Sequence, residues 1–278
     1  MSQWLIASLA GVGAVTFSHP FDVAKTRLQL QNELVARGQG EVVYRHAMHC
    51  MGRTVREEGM AALYHGVGPA WAYNAVMQGL RLGVFSVLVE ASPVASNAGV
   101  DLVAGFAGGM VSAAVASPLS LVKVRMQTAG SRVGVQYRYR SLLDGLRSIY
   151  RHEGLAGLFA GSWASQLRVG VGSAAQLASY KWSKQMLGAH LAPGYPLYLA
   201  ASAVGGVATV LAMNPLDVAS TRLYNSQGRY RGVADCLVRT VRKEGFFALW
   251  KGLSGQYLRI VPHSVLIIVF SEALGFKF

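Results

Sequence analysis

One short phrase stands three times in this chain of 278 residues, at an interval of about 97: Pro20-x-Asp22-x-x-Lys25-x-Arg27, Pro118-x-Ser120-x-x-Lys123-x-Arg125 and Pro215-x-Asp217-x-x-Ser220-x-Arg222. A fixed period constrains the architecture strongly, because each copy has to fold alike and pack against its siblings. Two further landmarks keep the same register. Glu58-Gly59, Glu153-Gly154 and Glu244-Gly245 are followed by Tyr64-His65-Gly66, Phe159-Ala160-Gly161 and Trp250-Lys251-Gly252, while Tyr44-Arg45, Tyr139-Arg140 and Tyr230-Arg231 precede them. The chain therefore reads as three units, 1–95, 96–192 and 193–278.

Composition sets the solvent. With 52% hydrophobic and 14% charged residues, and a mean hydropathy of +0.32, the chain is too apolar for an ordinary soluble domain of this size. Each unit offers two candidate spans, 4–28 and 67–90, 101–127 and 162–187, 197–223 and 253–274. All are near the roughly 20 residues a bilayer needs. The first of each pair carries small residues four apart, such as Ala7 and Gly11 or Gly105 and Gly109, which allow close helix packing. It meets its proline near the end, where the lost amide and the ring clash bend a helix. Between the spans, apolar residues at helical spacing, such as Leu142, Leu146 and Ile149, predict a short surface helix.

Of the 26 Lys and Arg, twenty fall in 25–56, 123–151 and 222–251, and none in 82–122 or 185–221. The loops within the units thus mark the positive side of the membrane. The net charge of +13 is explained by topology and attraction to anionic lipid. No nucleic-acid partner is expected, because no soluble domain exists on which a basic face could sit. Cys50 and Cys236 occupy equivalent positions in different units, too far apart for a disulfide. There is no metal-ligand cluster, phosphate-binding loop or nucleophile with its base. No cofactor, metal or enzymatic activity is expected, and the early first span leaves no room for a cleaved presequence.

These phrases make the chain resemble the mitochondrial carrier family from end to end. The resemblance implies an all-α membrane protein with six transmembrane helices in three pseudo-symmetric two-helix repeats, each with a short matrix-side helix. It also implies a multi-pass monomer of the mitochondrial inner membrane, working by alternating access around one central site. Acid and base three apart share a helix face, so three such helices can close a gate as a ring of ion pairs. The family pairs the acid of one repeat with the base of the next. Carried over, Asp22 meets Lys123 and Asp217 meets Lys25, while Ser120 faces Ser220, a link lost from both sides so that no charge is orphaned. Gln29 and Gln127 fit the family's glutamine brace, with Tyr224 in the third seat. The opposite gate is degenerate: Phe85-Ser86-x-x-Val89, Tyr180-Lys181-x-x-Lys184 and Phe270-Ser271-x-x-Leu274 carry no acid. Glu90 and Glu272 lie nearby, out of register.

Seven residues beyond the glycine that opens each even-numbered span stand Tyr73, Arg168 and Arg259. Equal offsets place them at one depth, which is also where the family's substrate contacts lie. Two arginines there cost about 2.5–3.5 kcal/mol each on insertion scales, and no acid is evident at that depth. A small anion bound by two guanidinium groups supplies the compensation. Asn74, Met77, Arg81, Val169 and Ser173 surround them, and His263 follows Arg259 by one turn, beside Pro262. The family's cardiolipin sites imply lipid at the helix starts Gly66, Gly161 and Trp250-Lys251-Gly252, of which only the last motif is complete. Leu167-Arg168-Val169-Gly170, Asn214-Pro215-Leu216-Asp217 and Leu258-Arg259-Ile260-Val261-Pro262-His263 are similar to the oxaloacetate carrier-like branch. This implies oxaloacetate, another dicarboxylate or a sulfate-type oxyanion as substrate. A nucleotide-type anion, a proton leak and a carrier fold retired to a membrane receptor or scaffold are the alternatives.

Overall fold

The computed structural model describes residues 3–36, 39–91, 98–188, 195–226, 228–260 and 266. The described regular structure is helical. In the first two repeats a long helix, a surface helix and a second long helix follow one another: α1 (Gln3–Leu30), α2 (Ala47–Glu58) and α3 (Val67–Glu90), then α4 (Ala98–Gln127), α5 (Leu142–Leu158) and α6 (Ser162–Gly188). The third repeat gives α7 (Tyr195–Asn225), α8 (Val233–Glu244) and α9, described over 253–260. Helices α1, α3, α4, α6 and α7 pack in chain order, and α7 returns to touch α1. Two stretches, Met60–Glu90 and Val103–Gln127, are apolar enough by composition alone to cross a membrane. Among the described residues α1, with Asp22 and Lys25, and α7, with Asp217, fall short of that test.

Polarity is reversed relative to a soluble protein. Phe17, Val103, Val115 and Trp163 stand exposed on the outside, whereas Asp22, Lys25, Lys123 and Asp217 are buried. Lipid solvates the first set, and the second is tolerated because its members meet one another.

Pro20, Pro118 and Pro215 lie inside α1, α4 and α7, and the helices continue beyond them. Below each proline the helix packs on the surface helix of its own repeat, with Leu28 and Cys50 in one core, Leu121, Val122 and Ile149 in the next, and Ala219, Leu223 and Cys236 in the third. Burial pushes the Cys50 and Cys236 thiols up to about 12, so both are inert packing groups, and they are free rather than bridged.

The second base of each phrase ties these layers together. Arg27, Arg125 and Arg222 have no exposed surface. Each forms a two-pronged ion pair with the glutamate of its repeat's Glu-Gly step: Arg27 with Glu58, Arg125 with Glu153 and Arg222 with Glu244. Each also donates its Nε–H to a backbone carbonyl of the next repeat around the ring, Gln127 at 3.2 Å, Tyr224 at 3.0 Å and Gln29 at 3.3 Å. The glycine of the step has φ of +89°, +71° and +91°, the left-handed region that ends a helix cheaply without a Cβ. Thus the glutamate before the glycine is the last residue of α2 and of α8 and stands just before the kink at Gly154 inside α5, in each case paired with a buried guanidinium.

Burial works against the Glu244 carboxylate, yet Arg222 and Lys251 hold its pKa below the usual carboxylate range. Its contribution to stability is therefore complete above that range and is lost as the pH falls through the lower, folded-state value. Breaking a buried pair by removing one member costs about 3–5 kcal/mol. Glu244→Ala is expected to fall in that range, and Glu153→Ala below it, because the Glu153 side chain is 31% exposed and that of Glu244 2%. Thermal unfolding midpoints of the two variants in detergent test this ordering.

Candidate functional site

Just beyond the three prolines, the first acid and base of each phrase turn toward the central axis. Lys123 Nζ lies 2.9 Å from Asp22 Oδ2, and Lys25 Nζ lies 3.2 Å from Asp217 Oδ2. Both pairs join different repeats. Ser120 and Ser220 line the same cavity, but no hydrogen bond joins them. The Ser220 hydroxyl donates to the Asp217 carbonyl of its own helix at 3.0 Å. A short side chain reaches its own backbone more readily than across the axis, so no hydrogen bond takes the place of the missing ion pair.

The glutamines behave unequally. Gln127 Nε2 donates to Asp22 Oδ2 at 3.0 Å, and its Oε1 accepts from the Thr26 hydroxyl at 2.7 Å. Gln29 accepts from the Thr221 hydroxyl at 2.8 Å, while its Nε2 has no partner among the described residues. Gln127 therefore touches its ion pair, and Gln29 crosses to the neighbouring repeat without touching Asp217. Tyr224 points its hydroxyl at Ser117, 3.4 Å away.

Above this floor is a cavity of about 330 Å³ lined by Tyr73, Asn74, Met77, Arg81, Arg168, Val169 and Arg259. Tyr73, Arg168 and Arg259 are the residues the equal-depth argument selected, and Asn74, Met77, Arg81 and Val169 are those expected around them. One expectation is overturned, that no acid lies at the depth of the arginines. Arg168 Nε is 3.4 Å from Asp217 Oδ1, and Arg259 Nη1 is 3.2 Å from Asp22 Oδ1. Counting along a helix locates Cα atoms, whereas an arginine side chain carries its charge more than a helical turn away. Each aspartate is thus shared, one oxygen with a lysine and the other with a cavity arginine. Tyr73 spans the two layers, its hydroxyl 3.4 Å from Arg168 Nη2 and its ring centroid 5.2 Å from Lys123 Nζ. Arg81 is exposed, and Asn74 donates to the Ala70 carbonyl of its own helix at 2.9 Å.

Residues missed in the sequence also line this space, notably Gln78, Thr209 and Met213. Thr209 lies two turns before Asp217, so the helical spacing of the proline phrase could have found it. The opposite gate is described only in part. Ser86 donates to the Gly83 carbonyl of its own helix at 3.0 Å, and Glu90 is exposed. Phe270, Ser271, Glu272 and Leu274 lie outside the described residues, as do Pro262 and His263, and nothing is described of the Tyr180, Lys181 and Ser173 side chains.

At the helix starts, Gly66, Gly161 and Gly252 have φ of +79°, +76° and +79°. A Cβ there would meet Lys123 O at 3.0 Å, Tyr224 Cδ1 at 3.0 Å and Gln29 Cγ at 2.8 Å respectively. These glycines are where one repeat seats on the next. Lys251 turns inward, 3.0 Å from the Gln31 carbonyl and 2.5 Å from Glu244 Oε2, and Trp250 Nε1 donates to the Leu211 carbonyl at 3.1 Å. Among the described residues no group of His, Cys, Asp and Glu could hold a metal.

Comparison with known proteins agrees with this architecture. A family model described as "Mitochondrial carrier protein" matches residues 1–92, 95–191 and 193–276. The mitochondrial citrate transporter E of Aspergillus niger is 37% identical, over 97% of this chain and 91% of that protein. The mitochondrial oxaloacetate transport protein of Schizosaccharomyces pombe is 34% identical, over 98% and 89%. The bovine mitochondrial 2-oxoglutarate/malate carrier protein is 33% identical, over 98% and 90%.

The empty third seat of the ring is testable. Ser120→Asp with Ser220→Lys is expected to raise stability by about 1 kcal/mol or more beyond the sum of the single changes, read from thermal unfolding of the four proteins. Additive effects would mean that the two positions do not face each other.

Proposed function

The chain belongs to the mitochondrial carrier family, multi-pass proteins of the inner membrane, and from that premise we propose that it carries small divalent anions of the oxaloacetate or dicarboxylate type by alternating access. The observation behind this reading is the charge of the cavity floor. Lys25, Lys123, Arg168 and Arg259 stand against only Asp22 and Asp217, a surplus of two positive charges in a low-dielectric setting. A dianion neutralises it, and the two guanidinium groups come from α6 and α9, so one small ligand can bridge two repeats. Relatives named for oxaloacetate and for 2-oxoglutarate and malate agree with that charge.

The shared aspartates suggest how binding loosens the gate. A substrate carboxylate that captures Arg168 or Arg259 removes one of the partners of Asp217 or Asp22. The gate then holds by its lysine links and the glutamine hydrogen bonds, and the absent third link lowers what remains to be broken. Arg81 at the cavity side adds a fifth cation and raises the surplus to three positive charges, which favours a tricarboxylate as the second reading, in line with the citrate transporter among the relatives. Sulfate-type oxyanions satisfy the same charge. A nucleotide needs more room than this floor provides, and a scaffold has no use for the surplus positive charge there.

Anionic lipid, cardiolipin above all, is proposed for the groove of about 1020 Å³ at Gly161, between Trp163 and Gly232, where helix-start amides and their dipole favour a phosphate. Its counterpart at Lys251 is less suited, because that ammonium is already engaged.

Uptake of radiolabelled oxaloacetate, malate, citrate and sulfate into liposomes containing the purified protein tests the substrate. A hydrogen bond to a charged group is worth about 1.5–3 kcal/mol, so Arg168→Ala and Arg259→Ala are each expected to raise the KM for the dianion at least about tenfold. Undiminished uptake in either variant would sink the proposal.

A further inference from the structure

The residue before each helix proline is buried and polar: His19, Ser117 and Asn214. Each fastens its helix to a neighbour. Asn214 Nδ2 donates to the Leu249 carbonyl at 2.8 Å, Ser117 meets the Tyr224 hydroxyl, and His19 Nε2 lies 3.0 Å from the His65 carbonyl. Serine and asparagine do this without titrating, so the fastening alone does not call for an imidazole.

The geometry decides the ring's tautomer. A carbonyl only accepts, so Nε2 carries the proton. Nδ1 is buried and has no hydrogen-bond partner among the described residues; an N–H there would be stranded at full desolvation cost. The ring is therefore a neutral base with a free lone pair. It is 1% exposed, packs on Tyr64 with ring centroids 6.3 Å apart, and does not line the central cavity. The charged groups nearest to it come from three elements, Asp22 of α1, Lys123 of α4 and Arg259 of α9. The connector contributes the Tyr64 ring and the His65 carbonyl, and the His65 ring is turned to the Ala129 carbonyl, 3.3 Å away.

We propose that His19 is a proton-binding site coupled to the gate, empty while Lys123 holds Asp22 and filled when the gate opens. Opening takes Lys123 from Asp22 and leaves a carboxylate without its lysine one helical turn from a free base. A proton from water on the gate side then adds to Nδ1, and the imidazolium compensates Asp22. Closure brings Lys123 back and returns the proton to the same side. Acid on that side therefore favours the open gate, while pH on the cavity side has no effect. The inference rests on the gate reading above and is independent of which anion is carried.

Gate opening can be read without transport. Met48 on α2 and Val238 on α8 are exposed, so spin labels on Met48→Cys and Val238→Cys report the separation of two surface helices. The inert Cys50 and Cys236 stay in place. Between pH 8 and pH 6 the ratio of the long-distance to the short-distance population is expected to rise about tenfold with His19 present. With His19→Asn, the residue repeat three uses, it is expected to stay constant, and His19→Gln serves if the asparagine variant does not fold. An equal pH response in both backgrounds, or none with His19 present, overturns the proposal. Liposome uptake on the same proteins separates the two readings: a pH-dependent distance without anion uptake defeats the substrate assignment alone, and normal uptake with a pH-independent distance defeats the proton site alone.

Discussion

A guanidinium with no exposed surface must find its counter-charge inside the protein, and Arg27, Arg125 and Arg222 each find it in the glutamate of the Glu-Gly step on the surface helix of their own repeat. That demand links the two most recognisable phrases of the sequence. It fixes where the lower half of each kinked helix sits, because the planar fork accepts a carboxylate in few orientations. The remaining Nε–H reaches the next repeat's backbone, so the same side chain sets both the geometry within a repeat and the spacing between repeats. The gate residues lie two and five positions earlier on the same helices, and their convergence on the axis follows from this anchoring.

The gate and the proposed substrate site are consequently one electrostatic unit. Asp22 and Asp217 each have two oxygens and two cationic partners from two other helices. A ligand that competes for one partner is felt by the other through the shared carboxylate, so no long-range relay is needed to connect binding with opening. Tyr73 adds a direct contact between Arg168 and Lys123 through its hydroxyl and its face. In a low-dielectric interior such sharing is strong when complete and costly when one member leaves, which is the behaviour a two-state gate requires.

The period, the helix pairs, the surface helices and the inter-repeat partners Asp22 with Lys123 and Asp217 with Lys25 were all legible in the sequence. Each follows from residues in register, and symmetry supplies the third dimension. Contacts between layers were not legible. Arg168 reaches Asp217 because its long side chain leaves the depth of its Cα, and no count along one helix reveals that. Thr26 and Thr221 are reached by glutamines from other repeats, and a hydroxyl in a small-residue helix carries no signal of its own. Ser120 and Ser220 show the limit of symmetry: equivalence places two positions at the same level, but side-chain length decides whether they touch.

The departures from threefold symmetry carry the chemistry. The buried Arg–Glu anchor is kept in all three repeats, because every copy has to hold its helix end and seat on the next. The gate keeps two links of three, the cavity depth holds two arginines and a tyrosine, and the pre-proline ring holds one base beside two neutral amide and hydroxyl groups. A threefold arrangement of cations would suit only a threefold anion. An asymmetric ligand with two carboxylates needs two charged contacts and a third of different character, and Tyr73 beside Arg168 and Arg259 has that composition. The missing ion pair, Ser120 and Ser220, leaves the net charge of the floor unchanged, since a third link would add one acid and one base; what it removes is one bond that the closed gate would otherwise hold.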